Sequence, residues 1–337
     1  MIYLKKRIDW IDIAKGLAIV LMMVGHTIPY NHLNYFIFSF HMALFVILSG
    51  ITYKIPKDKN ELKVRIIKYV KRLAIPYVFV LFVCSCIKYV EAADKLSILS
   101  FLKQFIKNVL WGNACDYTLF GKNFIGVGPI WFLIALFFAK VLFDIINYKI
   151  DNKNVYTSII IYCFFALLGV EIGKVVWLPQ SLDLVFVFLL YLYIGFLFHK
   201  YYKKISKYKI QIFLICFLIW ASCLGFNMYT ELAIRSYPNG FLSVIESICA
   251  SYCIIELCKI FERNNVLRFV FVKIGIISLT ILCVHSIEYA LGDWVYYLHV
   301  SVYLIAIIRV LAVLVVSFLV AYIKKWIIML KDKIKEH

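Results

Sequence analysis

Three of the seven histidines in this chain, His26, His41 and His285, stand in stretches otherwise built of Leu, Ile, Val, Phe and Met. Glu288 follows His285 by three residues, so the two share a helix face. Imidazole titrates near neutrality and is the natural base for drawing a proton from a hydroxyl, while a nearby carboxylate fixes its tautomer. Lys15 precedes His26 by 11 positions. At ~100° and ~1.5 Å per residue the pair falls within ~20° of one helix face and ~16 Å apart along it. The plainer alternatives are a snorkelling lysine and interhelical hydrogen bonds.

The elements that position these groups follow from composition. The chain is 64% hydrophobic and only 17% charged over 337 residues, with 28 Phe and 24 Tyr. Its repeated apolar runs have the ~20-residue length that crosses ~30 Å of hydrocarbon. The fold class expected is all-α, a polytopic bundle of ten transmembrane helices forming one domain over 1–337. The spans fall near 11–28, 33–53, 73–90, 125–146, 155–173, 182–198, 210–229, 241–260, 270–291 and 300–323. Short connections make neighbours antiparallel. No repeat and no Gly or Pro break in mid-span is visible. In the long connection 91–124, residues 96–111 read as an amphipathic helix that either lies on the membrane surface or packs on the bundle. An ionisable group at membrane depth is costly, which makes His26, His41, His285 and Glu288 candidates for function.

The net charge of +18 does not point to nucleic acid. Most basic residues fall at 5–7, 54–72, 149, 153, 200–209, 259–273 and 324–335, on one side of the alternating spans. The other side carries Lys88, Lys95, Lys103, Lys107, Lys122, Lys174 and Arg235. This bias puts both termini in the cytoplasm, facing anionic headgroups. Nine of the ten Cys lie within spans and Cys115 in a loop, and they read as small apolar residues, with neither a disulfide framework nor a metal site expected. The N-terminal basic residues and apolar run lack a cleavage site and lead into a second span, so this segment is expected to be retained. Lys68, Lys71 and Arg72 stand before the third span, where they can hold phosphates of a nucleotide-like cofactor or simply follow the positive-inside bias. Arg309, mid-way along the tenth span, needs a carboxylate, and Glu246 is the partner expected.

Taken together, these residues resemble the acyltransferase-3 family of membrane acyltransferases, most closely its fucose-4-O-acetylase-like branch. The matching pattern is Lys15 to Gly25-His26, then Phe40-His41-Met42 to Ser49-Gly50. It continues with Arg72-Leu73 and Pro76-Tyr77, then Trp131 to Leu133, and Ser278-Leu279 to His285. The order and spacing hold over nearly the whole chain. Two departures are visible: Lys15 stands where much of the family has Arg, and Tyr69 occupies the first position of an Arg-x-x-Arg pair ending at Arg72.

The resemblance implies transfer of an acyl group, usually acetyl, from cytosolic acyl-coenzyme A to a sugar hydroxyl of a surface glycan or its lipid-linked precursor. It implies a bacterial plasma-membrane enzyme, with a homo-oligomer compatible. His26 corresponds to the base that deprotonates the acceptor, with His41, His285 and Glu288 as further catalytic candidates. Lys15 and Arg72 are associated with the coenzyme, and Lys68 and Lys71 join them as candidates. Direct transfer is expected, with a covalent acyl-enzyme as the alternative. Some relatives carry an esterase-like domain; without one, this chain is expected to complete transfer itself or hand acyl groups to another protein. Two rival classes are a transporter of a small molecule or polysaccharide intermediate, and a scaffold within a glycan-assembly complex.

Overall fold

A computed structural model describes residues 7–29, 31–91, 97–149, 154–292 and 299–335. Lys5, Lys6, Lys95 and Lys153, counted above among the loop charges, lie outside the described residues, as does the first residue of the expected 96–111 helix.

The helices in chain order are α1 (Asp9–Gly25), α2 (His32–Phe38), α3 (His41–Ile51), α4 (Lys59–Tyr69) and α5 (Ile75–Glu91), the last two joined by a π-helical turn, Val70–Ala74. Then come α6 (Ile98–Trp111), a two-stranded hairpin of β1 (Tyr117–Leu119) and β2 (Lys122–Phe124), α7 (Trp131–Lys149), α8 (Val155–Val175) and α9 (Leu182–Lys200). The chain closes with α10 (Tyr202–Lys207), α11 (Lys209–Gly225), α12 (Phe241–Phe261), α13 (Asn265–Ile276), α14 (Ser278–Ala290) and α15 (Val302–Lys335). Side-chain caps start several of them. Asn31 accepts from the N–H groups of Leu33 and Asn34 in a capping box, Asp58 from Glu61, and Asn264 from Val266 and Leu267.

This is an all-α membrane protein. Among the described residues, seven helical segments are long and apolar enough to cross a bilayer, and the bent pair α13–α14 makes an eighth. The first and seventh expected spans are helical too, but α1 and α11 have 17 residues each and fall short of that length. The expectation of unbroken spans is corrected in two places. The second span stops at Phe38 and restarts at His41, and the ninth bends by 68° between α13 and α14. Neither break sits on Pro. At the first, the Ser39 hydroxyl donates to Phe36 O at 2.9 Å and accepts from Trp220 Nε1 at 2.8 Å. A serine bonded to its own preceding turn offers the backbone an alternative to the helical ladder. At the second, Ile277 both ends α13 and begins α14.

The chain forms two compact units, 1–29 with 254–337 and 30–253. In the first, α1 lies along α13 with backbone nearly touching backbone. A Cβ on Gly16 would stand 2.3 Å from Phe271 O, and one on Gly275 1.8 Å from Asp12 O. Glycine at such crossings lets helices approach closely in a membrane. Gly275→Ala is therefore expected to lower stability by about 1–3 kcal/mol through overpacking. A thermal melt in detergent checks this, and an unchanged midpoint would contradict the contact.

In the second unit α3 and α9 cross in the same way. A Cβ on Gly50 would meet Leu192 O at 2.1 Å, and one on Gly195 would meet Ile47 O at 2.1 Å. Helix α6 packs on the bundle, one of the two readings offered for it. It packs on α5 through Phe105 against Phe82 and through Val109 O, which accepts from Tyr77 Oη at 3.2 Å. It also leaves Ile98, Leu102, Ile106 and Leu110 exposed in a stripe.

A buried ion pair ties the loops after α6 and α11 to the start of α9. Arg235 Nε donates to Asp183 Oδ2 at 2.8 Å and Nη2 to Oδ1 at 3.2 Å, and Asn113 Oδ1 also accepts from Nη2. The guanidinium lies 4.4 Å from the centre of the Trp177 ring. That ring stacks on Tyr117 at 4.8 Å. Arg235, counted from sequence as a loop charge, is an interior residue.

Candidate active site

The first unit holds four of the eight candidate groups, Lys15, His26, His285 and Glu288. Helix α1 ends at Gly25, and His26 caps it with its N–H bonded to Met22 O at 3.0 Å. The half-buried His26 ring stacks on His285 of α14, with centroids 5.6 Å apart and planes at 29°. Tyr289 approaches His26 edge-on at 5.9 Å and His285 at 6.2 Å.

His285 is 1% exposed, and its Nδ1 lies 3.3 Å from Glu288 Oε2. The other carboxylate oxygen, Oε1, accepts from Arg309 Nε of α15 at 2.7 Å. A carboxylate with a guanidinium as countercharge can only accept, so a hydrogen bond closed across this 3.3 Å contact puts the proton of a neutral His285 on Nδ1. That leaves Nε2 with a lone pair, and this buried atom has no hydrogen-bond partner among the described residues. One expectation changes here. Arg309 pairs with Glu288 and not with Glu246, whose Oε2 instead accepts from the N–H and the hydroxyl of Thr230.

At the other end of α1, Lys15 Nζ is 3.4 Å from Asp12 Oδ1, the i,i+3 pair the spacing allows, and its side chain remains 30% exposed. Arg7 Nε shares the same carboxylate from 3.2 Å.

The second unit holds the remaining candidates. His41 opens α3 just after the break, is buried, and its Nδ1 lies 3.1 Å from Ile37 O. It satisfies a carbonyl that the break withdraws from the helical ladder. Lys68, Lys71 and Arg72 are all exposed, and the last two lie in the π-helical turn. Such turns recur at functional positions.

Beside that turn is a polar cluster the sequence reading did not assemble. Arg65 clasps Glu61 Oε1 with Nε at 3.2 Å and Nη2 at 2.6 Å. Its Nη1 reaches Lys54 O and lies 3.6 Å from Oδ1 of Asp144, which is wholly buried in α7. Lys140, one turn earlier on α7, donates to Ser49 Oγ at 2.6 Å and lies over the Tyr69 ring at 5.1 Å. The signal was present in the sequence as an acid and a base four residues apart inside an apolar span. Among the described residues no group of three or more His, Cys, Asp and Glu converges as metal ligands would.

Chemically, the first unit offers two stacked imidazoles, one of them with a carboxylate beside Nδ1 and a buried Nε2 that has no hydrogen-bond partner among the described residues. That is the equipment of general-base catalysis on a hydroxyl. No curated protein and no solved structure matches the chain. The sequence model of an acyltransferase domain, that of acyltransferase-3, matches residues 8–326 and so reaches into both units and takes in every candidate site residue. A membrane chain matched over nearly its whole length belongs to that family, and the protein is a membrane acyltransferase of the acyltransferase-3 family.

Proposed function

We propose that the protein moves an acyl group, in the simplest case acetyl, from cytosolic acyl-coenzyme A to a sugar hydroxyl of a cell-surface polysaccharide or its lipid-linked precursor. The observation that carries this reading is the array His26–His285–Glu288–Arg309, gathered from three helices of the first unit. His26 takes the proton of the acceptor hydroxyl as its oxygen attacks the thioester carbonyl. The C–S bond then breaks, and the departing thiolate recovers that proton from the imidazolium. Lys15 of the first unit, and separately Lys68, Lys71 and Arg72 of the second, are the residues assigned to the coenzyme phosphates. A single ammonium at position 15 supplies a point charge where a guanidinium would supply a fork. The chain crosses the plasma membrane of a bacterium ten times, both termini are cytoplasmic, and the acceptor enters from outside.

Purified protein in detergent, given acetyl-coenzyme A and the host's surface glycan, is expected to release free thiol in step with ester formation on sugar. Thiol release without a wild-type glycan ester would sink the acceptor assignment. The absence of both would sink the donor assignment.

The interrupted helices favour a second reading, since broken spans recur in transporters around a mid-membrane substrate site. Under that reading, proteoliposomes would accumulate a labelled glycan precursor with no thioester consumed.

A further inference from the structure

We infer that Arg309 is a positioning residue of the acyl-transfer site, acting through Glu288 to hold His285 as the Nδ1–H tautomer with Nε2 a bare proton acceptor beside His26. The inference rests on the acyl-transfer reading for its chemistry, but on geometry for its assignment. A lone arginine deep in a membrane helix is costly, and one whose sole purpose was to neutralise Glu288 would be replaceable, together with that glutamate, by a neutral pair. The arrangement here is directional. Arg309 Nε takes Oε1 at 2.7 Å, which turns Oε2 toward His285 Nδ1 at 3.3 Å. A hydrogen bond closed across that contact commits the Nδ1 proton, and the imidazole then presents its other nitrogen, buried and without a hydrogen-bond partner among the described residues. A buried polar atom left unsatisfied is disfavoured, and such atoms persist where a ligand or reacting group completes them.

The ring it belongs to lies against His26, with centroids 5.6 Å apart. In the proposed reaction the acceptor O–H bond breaks as its proton passes to His26. The His26 imidazolium returns that proton to the thiolate when the C–S bond breaks, while His285 Nε2, whose ring stacks on His26, stays open to accept from the reacting groups. No proton is gained or lost over the cycle, and both imidazoles end neutral. Glutamine at 288 would offer an amide that donates as readily as it accepts, so either tautomer of His285 would fit.

The test compares Glu288→Gln, Arg309→Gln and the double variant with wild type, in protein labelled with ¹⁵N-histidine. The His285 signals are identified by their loss in His285→Gln. Wild type is expected to show His285 protonated at Nδ1 only, and the double variant a mixture of tautomers. Each single variant strands a charge and is expected to lower the melting temperature, whereas the double variant restores it. If the pair positions His285, the restored double variant still loses tenfold or more in kcat with KM for acetyl-coenzyme A unchanged. A double variant with wild-type kcat, or a wild-type His285 protonated at Nε2, overturns the inference. Should the double variant not fold, Arg309→Lys replaces it; the same tautomer with kcat within a few-fold of wild type supports the inference, and a lost tautomer at full kcat refutes it. A wild type that consumes no thioester removes the acyl-transfer reading, and the tautomer signal then decides the positioning role by itself.

Discussion

His26→Ala is expected to lower kcat for acyl transfer by roughly 10²–10⁴-fold, the usual contribution of a positioned general base. Stability should change far less. The residue is a half-buried helix cap whose backbone N–H, not its ring, bonds Met22 O. Its ring contacts, which include stacking on His285 and an edge from Tyr289, are worth about 0.5–1.5 kcal/mol each. Thiol release from acetyl-coenzyme A, measured beside a thermal melt, separates the two effects. Wild-type turnover would remove His26 from the mechanism. A collapse in melting temperature would mean that the ring holds the fold.

The second large effect concerns stability. Asp183→Ala is expected to cost about 3–5 kcal/mol, because it strands the Arg235 guanidinium where water cannot reach it. Both side chains are almost wholly buried, at 0% and 1% exposed. Asp183 Oδ1 also accepts from Leu178 N at 3.2 Å, so one deletion strips a backbone donor as well as a cation. A loss of that size is a large share of a typical domain's 5–15 kcal/mol. Fluorescence-detected melting in detergent reads it directly, with purified yield as a second measure. Replacing both residues by apolar side chains of similar volume is expected to recover much of the loss, since a matched hydrophobic pair avoids desolvating two charges. An Asp183→Ala protein that melts with the wild type would show that the pair contributes nothing.

The helical segments were legible because hydrophobic length is a coarse and redundant signal, and a few substitutions would not hide a twenty-residue apolar run. The breaks were not. Ser39 and Ile277 are unremarkable letters in such a run, and only the folded chain shows Ser39 held between Phe36 O and the Trp220 indole. The glycines that let α1 meet α13 were equally mute, since glycine in an apolar span has many uses.

Among the candidate groups, the spacing of His285 and Glu288 announced their contact, as did that of Asp12 and Lys15. The partner of Arg309 was open to better counting. Glu288 sits near the end of α14 and Arg309 in the early turns of α15. Two antiparallel helices joined by a short connection bring such positions to one depth. Glu246, picked for its charge, is satisfied locally by Thr230. The pairing of His26 with His285 across 259 positions could not be read from periodicity at all. It entered only through the family pattern that both residues match.

The elbow between α13 and α14 has a consequence for how this chain can vary. Because α14 is not a continuation of α13, its rotation about its own axis is held by its packing on α1 and α15. One residue inserted into its first turn would rotate the rest of α14 by about 100° and carry it along by about 1.5 Å. His285 would swing away from His26 and take the Glu288 carboxylate with it, although each helix kept its apolar composition. A hydropathy profile would register almost no change in such a variant, whose two imidazoles would nonetheless be parted.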